Sequence, residues 1–393
     1  MLVEIHMLQN HAPSNLNRDD TGSPKDAVFG GVRRSRISSQ ALKRAIRRSP
    51  VFQSALAGAG LGIRTRQLPQ EVRRILLERG LSEEMADIGA VKASGFGTKD
   101  GKEQKPDKNN VVETAQIMYL TPQDIEAVAD VIFQAAQEAG TPAEFRKVSA
   151  KDLQARARDK WRPITPDIAL FGRMITSDAF RDVESAVQVA HALSTHRMEH
   201  EFDYYTAVDD LRDPFESDDD RGAAMIGDIE FTSACYYKYF SIDLDGFVDN
   251  LVGEGAVRPE ERARARELAE KTTLAFLEAA VFTSPSGKQN TFAAHQLPDA
   301  ILVELRDRKV PVSYANAFVN PVTAGRGEDL VQRSISAFTE HVELLTRKFS
   351  LPRVARLWFT TRDAALEGAR ACETFEELKR ELAAVLRGAR PNG

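Results

Sequence analysis

"FGGVRRSRISSQALKRAIRRS", residues 29 to 49, decides how the rest of the chain is read. It opens on a glycine pair, Gly30 and Gly31, which marks a tight turn or a close backbone approach. A strand-like approach carrying Arg33, Arg34 and Arg36 follows. Residues 39 to 48 then read as a helix, because Leu42, Ala45 and Ile46 set an apolar stripe at i, i+3 and i+4. Beside that stripe, Lys43 with Arg47 and Arg44 with Arg48 make two basic i,i+4 rows. The stretch holds seven arginines and lysines and no acid, in a chain of 53 basic and 58 acidic side chains and formal net charge −5. Recognition depends on local field rather than on the total, so this concentration calls for a local explanation.

Two explanations stand. A solvated basic face accounts for Lys43, Arg44, Arg47 and Arg48, since cations near a helix C-terminus also favour the macrodipole. It accounts less well for the arginines of the approach, or for Ser38, Ser39 and Gln40 at the start of the helix. A helix N-terminus with hydroxyls and free N–H groups suits a phosphate, and arginines around it fork onto further phosphates. On that reading the surface binds a nucleic-acid backbone through charge and donors rather than base edges.

Outward from this stretch the chain has mixed character. "LVEIHML" (2–8) reads as a strand, and "NHAPSNLNRDDTGSPKD" (10–26) as a long polar loop. Residues 56 to about 170 read as a helical insertion. "LPQEVRRILLERG" (68–80) has a proline start and a glycine stop. "TPQDIEAVADVIFQAAQEAG" (121–140) has Thr121 as cap and Gly140 as end. Thr141 with Glu144, and Thr374 with Glu377, offer capping boxes. Between the helices, "SGFGTKDGKEQKPDKNN" (94–110) reads as a flexible lysine-rich loop. Residues 182 to 197 suit a helix through Val183, Ala186, Val187, Ala190 and Leu193. The acidic segment 201–231 reads as a projecting hairpin, "TSACYYKYFSIDL" (232–244) as a strand, and "AILVEL" (300–305) as a short buried one. Further helices are expected over about 260–282, 328–349 and 374–387. The pattern predicts an α+β fold with a small antiparallel sheet.

Several classes are excluded or weakened. With 42% hydrophobic residues the chain can bury a core, and no apolar run reaches about 18 residues, so no membrane span is expected. "MLVEIHMLQNHAPS" lacks a basic region followed by an apolar one, so no secretory leader is expected. Cys235 and Cys372 form no ligand-spaced motif, and a reducing cytoplasm is the default. "HRMEH" (196–200) matches the H-x-x-E-H order of inverted zinc peptidases; on a helix His196 and His200 would share a face, with Glu199 as base. The helical period fades at that point, and if the helix ends there the geometry fails; a zinc-dependent peptidase stands as the alternative reading. No phosphate-cradling glycine loop, G-x-S-x-G elbow or Cys/His nucleophile pair is present. Asp209, Asp210 and Asp218 to Asp220 read as solvating side chains of the hairpin. Neither cofactor nor metal is expected.

Taken together, residues 11 to 49, with L-N-R-D-D, then K-D-A-x-F-G-G, then R-I-S-S-Q-x-L-K-R-A, resemble the CasC backbone subunit family of the type I-E CRISPR surveillance complex, Cascade. "FGRMITS" (171–177), "AHALSTH" (190–196), "TAVDDL" (206–211), "GKQNTFAAH" (287–295) and "SYANAF" (313–318) extend the resemblance along the chain. It implies a right-hand shape with an RRM-like (ferredoxin-like) palm, helical fingers and a thumb β-hairpin. Palm would fall at 1–55, 176–200 and 231–393, fingers at 56–175 and thumb at 201–230. It implies a non-enzymatic, cytoplasmic, RNA-binding protein of antiviral defence. Its partners would be CRISPR RNA, further copies of itself in a helical filament, other Cascade subunits and, through guide pairing, target DNA, with no membrane. Copies would polymerise along the guide, kink it at regular intervals and support R-loop formation. By the same resemblance Arg18, Lys25, Arg34, Ser38, Gln40, Lys43 and Arg44 would hold guide phosphates. Met174 would insert beside a base, and Lys288 and Gln289 would belong to the RNA face. Charge density adds Lys99, Lys102, Lys105, Lys108, Arg146, Lys147 and Lys151 as candidate DNA contacts.

Overall fold

The computed structural model describes residues 1–158, 162–207, 225–253 and 257–388. The chain divides into two compact units. One, the sheet unit, comprises Met1–Phe52, Gln188–Ile242 and Thr273–Gly393; the other, the helical unit, comprises Gln53–Val187 and Asp243–Thr272. Among the described residues no helix is long and apolar enough to cross a membrane.

The sheet unit is built on a mostly antiparallel sheet. Its strand order is Arg370–Ala371, Ala355–Thr360, Ala300–Arg306, Leu2–Ser14, Met225–Asp243, Ala192–Ser194, Val32–Ile37 and Asp26–Phe29. The first strand is central and buried along almost its whole length, and pairs with the equally buried Ala300–Arg306 in the register Leu2↔Arg306 to Leu8↔Ala300. It runs to Ser14, deeper into the predicted loop than the local Asn and Pro content indicates; its ladder with Ala300–Arg306 ends at Leu8, and its other neighbour is the long strand Met225–Asp243. On one face, Leu8, Tyr237, Tyr239, Leu302 and Trp358 form a core with Ile335, Phe338 and Val342 of the amphipathic helix Leu330–Phe349. Residues 182–197 are not helical. They contain the strands Val187–Val189 and Ala192–Ser194, where burial alternates residue by residue. A period of 2 therefore prevails over the helical period that the same apolar residues also fit.

That core contains a charge network. Glu304 meets Arg306 Nη2 at 2.7 Å, Arg356 Nη2 at 2.7 Å and the Tyr314 hydroxyl at 2.7 Å, and Arg306 also pairs with Glu4. All four charged side chains are buried. Burial alone opposes charge on Glu304, but Arg306 and Arg356 outweigh it and hold its pKa below the ordinary 4.5. Glu4 goes the other way, raised by burial against its hydrogen bonds and Arg306. A depressed carboxylate contributes stability that is complete above the unfolded pKa and is lost as pH falls through the folded one. Glu304→Gln should therefore cost about 2 kcal/mol at pH 7. It should also lose less stability than the wild type between pH 7 and pH 3.5, as urea unfolding at the two pH values will show.

Several helices of the helical unit pack around a shared core. Leu68, Val72, Ile75 and Leu76 of the helix Leu68–Glu78 meet Val128, Ile132 and Ala136 of Pro122–Ala139, with Phe96, Phe145 and Leu153 closing the cluster. Thr121 and Asp124 complete a reciprocal capping box, and Gly140 ends the helix in the left-handed region. A two-stranded sheet, Ile63–Thr65 with Met118–Leu120, lies in the same unit.

Candidate nucleic-acid interface

The glycine pair is a hairpin loop. Asp26–Phe29 and Val32–Ile37 pair from Asp26↔Ser35 to Phe29↔Val32, and Gly30 and Gly31 take φ of 61° and 75°. Gly30 is required twice over, since a Cβ there would lie 2.0 Å from the Val319 carbonyl oxygen.

The hairpin splits the basic run. Arg33 points outward and pairs with Asp26 across the strands. Arg36 donates to the Asp26 carbonyl at 2.9 Å and meets His191 Nδ1 at 3.1 Å. Arg34 points inward and is wholly buried. Its Nη1 donates to the carbonyls of Ser194 and Thr195 (3.3 and 2.8 Å), and its Nη2 to those of Phe318 and Val319 (2.8 and 3.2 Å). The assignment of Arg34 to a guide phosphate is therefore corrected: the side chain is buried and both its Nη groups are committed to backbone carbonyls. Ser38 is also a structural residue first. Its hydroxyl caps the helix by accepting from Ala41 N, its own N–H donates to Asn17 Oδ1 at 2.8 Å, and it is buried.

What faces solvent is the helix Ser39–Arg48. Leu42 and Ile46 bury one side. Gln40, Lys43, Arg44 and Arg47 follow one another at i, i+3, i+4 and i+7, a single face one turn from the N-terminal N–H groups. The loop from Asn15 to Lys25 is tied to the start of this helix. Asn17 binds Ser38 N, the Lys25 carbonyl accepts from Arg36 N at 2.8 Å, and Arg18 bridges to Pro24. Arg18 is exposed there and Lys25 half-buried. A third segment joins them: a Cβ on Gly287 would stand 2.5 Å from the carbonyl oxygens of both Asn15 and Leu16. Lys288, in the left-handed region at φ 49°, follows directly. The structure thus gathers Arg18, Lys25, Gln40, Lys43, Arg44 and Lys288 in the sheet unit. Gln289 does not join them as a ligand. Its amide nitrogen donates to the carbonyls of Pro285 and Ala294, both at 3.2 Å, which locks the turn, and its Oε1 is buried.

In the helical unit Met174 is 94% exposed. The residues around it are fixed. Gly172 has φ 79°, and a Cβ there would lie 2.9 Å from Ser185 N. Arg173 is buried on Asp124 Oδ2 at 2.7 Å and on the Arg181 carbonyl, and the Ile175 N–H donates to Asp182 Oδ1 at 2.7 Å. A flexible apolar side chain thus projects from an immobile base. The lysine-rich segment of this unit is more tethered than its composition indicates. Lys102 N donates to Thr98 Oγ1, Gln104 N to Ser94 Oγ, and Lys92 pairs with Glu103 at 2.8 Å. Gly101 packs against the backbone of Lys151. Lys99, Lys102, Lys105, Lys108 and Lys151 are exposed, while Arg146 pairs with Glu84 and Lys147 with Glu144.

Sequence reasoning missed Phe202 and Tyr204, 55% and 77% exposed on one side of the strand Glu201–Ala207, which pairs with Met225–Asp243 from Glu201↔Phe231 to Ala207↔Met225. The alternation in "EFDYY" carried the signal, and exposed aromatics of this kind can stack on bases. The acidic tip, with Asp209, Asp210 and Asp218 to Asp220, lies outside the described residues.

Residues 196–200 are not helical. His196 Nε2 accepts from Cys235 N at 3.2 Å, and His200 pairs with Glu230. The two imidazoles hold different partners, so the zinc-peptidase geometry is absent. No metal-binding group of His, Cys, Asp or Glu occurs among the described residues. Burial pushes the Cys235 thiol up to about 12, far from a usable thiolate.

A family model described as CT1975-like protein matches residues 3–385. A solved chain titled "CRISPR RNA-guided surveillance complex, pre-nicking" is 27% identical, with a TM-score of 0.79, covering 98% of this chain and 100% of that one. A second, from a "CRISPR RNA-guided surveillance complex", is 23% identical with a TM-score of 0.71, covering 98% and 99%, a likeness of fold alone. No curated protein matches the chain.

Proposed function

The chain belongs to the CT1975-like protein family, whose model spans residues 3–385, and on that premise we propose that it is the CasC-type backbone subunit of a type I-E Cascade complex. It binds CRISPR RNA, assembles in multiple copies along it with the other Cascade subunits, and has no catalysis of its own. Residues 56–175, which lie within the helical unit, serve as fingers, and residues 1–55, 176–200 and 231–393 as an RRM-like palm. The paired strands Glu201–Ala207 and Met225–Asp243 form the base of the thumb.

The observation that carries this reading is the set of cations and donors at one helix start. Arg18, Lys25, Gln40, Lys43, Arg44 and Lys288 come from three separated segments that the fold ties together, as a tracked phosphate backbone requires. Met174 supplies the apolar contact to a base at each kink, an unbranched thioether suited to wedging. The lysines of residues 99–108, with Arg146, Lys147 and Lys151, support the R-loop by contacting DNA. Their two surface ion pairs are too weak to withhold them.

The test is purification of the chain co-expressed with the other Cascade components and a CRISPR array, followed by extraction and sizing of the bound RNA. A short RNA of uniform length is expected. An assembled complex with no RNA, or with RNA of random length, would overturn the reading.

A further inference from the structure

We infer that Ile117 is a second prong of the wedge formed by Met174, the two side chains making one apolar platform for the face of a guide-RNA nucleobase. The inference rests on the proposed RNA-binding function and adds to it a residue that no motif marked.

Their two segments are held side by side within the helical unit by bonds at both ends of a short antiparallel run. At one end Arg173 Nη1 donates to the Tyr119 carbonyl at 3.4 Å. At the other, the Gln116 side-chain amide donates to Thr176 Oγ1 and to the Gly97 carbonyl, and Thr176 Oγ1 donates to the same carbonyl at 3.4 Å. Residues 173–176 therefore run antiparallel beside residues 116–119, with Met174 and Ile117 diagonal to each other in the middle of the run. Ile117 is 68% exposed. Isolated exposed apolar side chains need no explanation, but here two project from backbones that are otherwise fixed. Met118, next to Ile117, is buried and paired with Thr65, as Arg173, next to Met174, is buried on Asp124.

The chemistry of the pair fits a base. Isoleucine is stiff at χ1 and holds one side of the platform, while methionine adapts on the other. Two side chains fall far short of the roughly 800 Å² per partner of a standard protein interface. The strand paired with the one that follows Ile117 carries exposed Arg64, whose guanidinium lies 4.7 Å from the Tyr119 ring centre; Arg66 follows at its end, exposed but held by Glu113 at 3.4 Å and by the Thr114 carbonyl at 3.0 Å. Apolar surface beside cations suits a nucleotide, whose base is flat and apolar in face and whose phosphate is anionic.

Ile117→Ala, Ile117→Leu and Met174→Ala are to be compared in the assembled complex. The guide carries 2-aminopurine at the kinked positions. Ile117→Ala is expected to weaken guide retention about tenfold and to change the 2-aminopurine fluorescence in the same direction as Met174→Ala, with Ile117→Leu restoring both. A wild-type signal in Ile117→Ala alongside a changed one in Met174→Ala overturns the role of Ile117 and leaves that of Met174. Wild-type signals in both, with RNA still retained, overturn the platform and leave the RNA-binding function standing. Loss of subunit assembly at full RNA affinity in the free chain would make Ile117 a protein contact and also overturn the inference. Absence of guide RNA from the wild-type complex is the separate failure of the function itself.

Discussion

Replacing Arg34 with alanine should destabilise the protein by roughly 3–5 kcal/mol, while leaving the salt dependence of RNA binding in whatever fraction remains folded unchanged. The expectation follows from the four carbonyls on which its guanidinium ends, two in the segment 194–195 and two in 318–319. Without the side chain those carbonyls lose the donors that hold the two segments together. The same region is braced by Gly30, which backs onto the Val319 carbonyl oxygen. Lysine should not rescue the loss, since a single ammonium cannot span two pairs of carbonyls as a planar fork does. Urea unfolding monitored by circular dichroism measures the effect. An alanine variant of wild-type stability, with a salt slope flatter by about 0.7, would return Arg34 to the phosphate-binding set.

Arg34 also shows where the sequence was legible and where it was not. Elements with caps could be read from their residues alone: Thr121 and Gly140 bound the helix Pro122–Ala139, and Ser38 opens Ser39–Arg48. Composition pointed to the helical character of residues 56 to about 170, but not to the joining of Asp243–Thr272 to the same unit. What a run of charges could not show was which members point inward. In "VRRSRI" the strand period sends Arg34 to the core and Arg33 to solvent, but only the distant segments 194–195 and 318–319 make the inward position tolerable for a cation. Gln289 was misplaced for a similar reason, since its partners lie within its own turn and depend on left-handed residues at Lys288 and Ala293 that composition does not announce. The stretch 182–197 carries apolar residues that fit both periods, and pairing with Tyr236 and Tyr237 settles the choice for Ala192–Ser194. Met174 was visible only through its motif. Phe202, Tyr204 and Ile117 have no motif, and their exposure is a property of the fold.

Removing Arg18, Lys25, Lys43 and Arg44 together should weaken guide-RNA binding on the order of a thousandfold at 50 mM salt, with little change in stability. The argument is one of counterion release. Each cation that neutralises a phosphate of a single strand releases about 0.7 of a counterion, so each lost contact flattens the plot of log K against log salt by that amount. Four contacts should reduce the slope by about 3, and the deficit should shrink as salt rises, because the wild type loses its advantage first. Stability should hold because Arg18 and Arg44 are exposed and Lys25 and Lys43 only half-buried, while Leu42 and Ile46 keep the helix in place. RNAs of unrelated sequence should suffer alike, since phosphates carry no sequence information. Filter binding of labelled RNA at a series of salt concentrations separates the alternatives. A reduced slope with uniform loss across sequences supports a phosphate-tracking surface. An unchanged slope would mean that these side chains form the solvated face that charge alone also allows, and the RNA path would have to be sought on another surface of the chain.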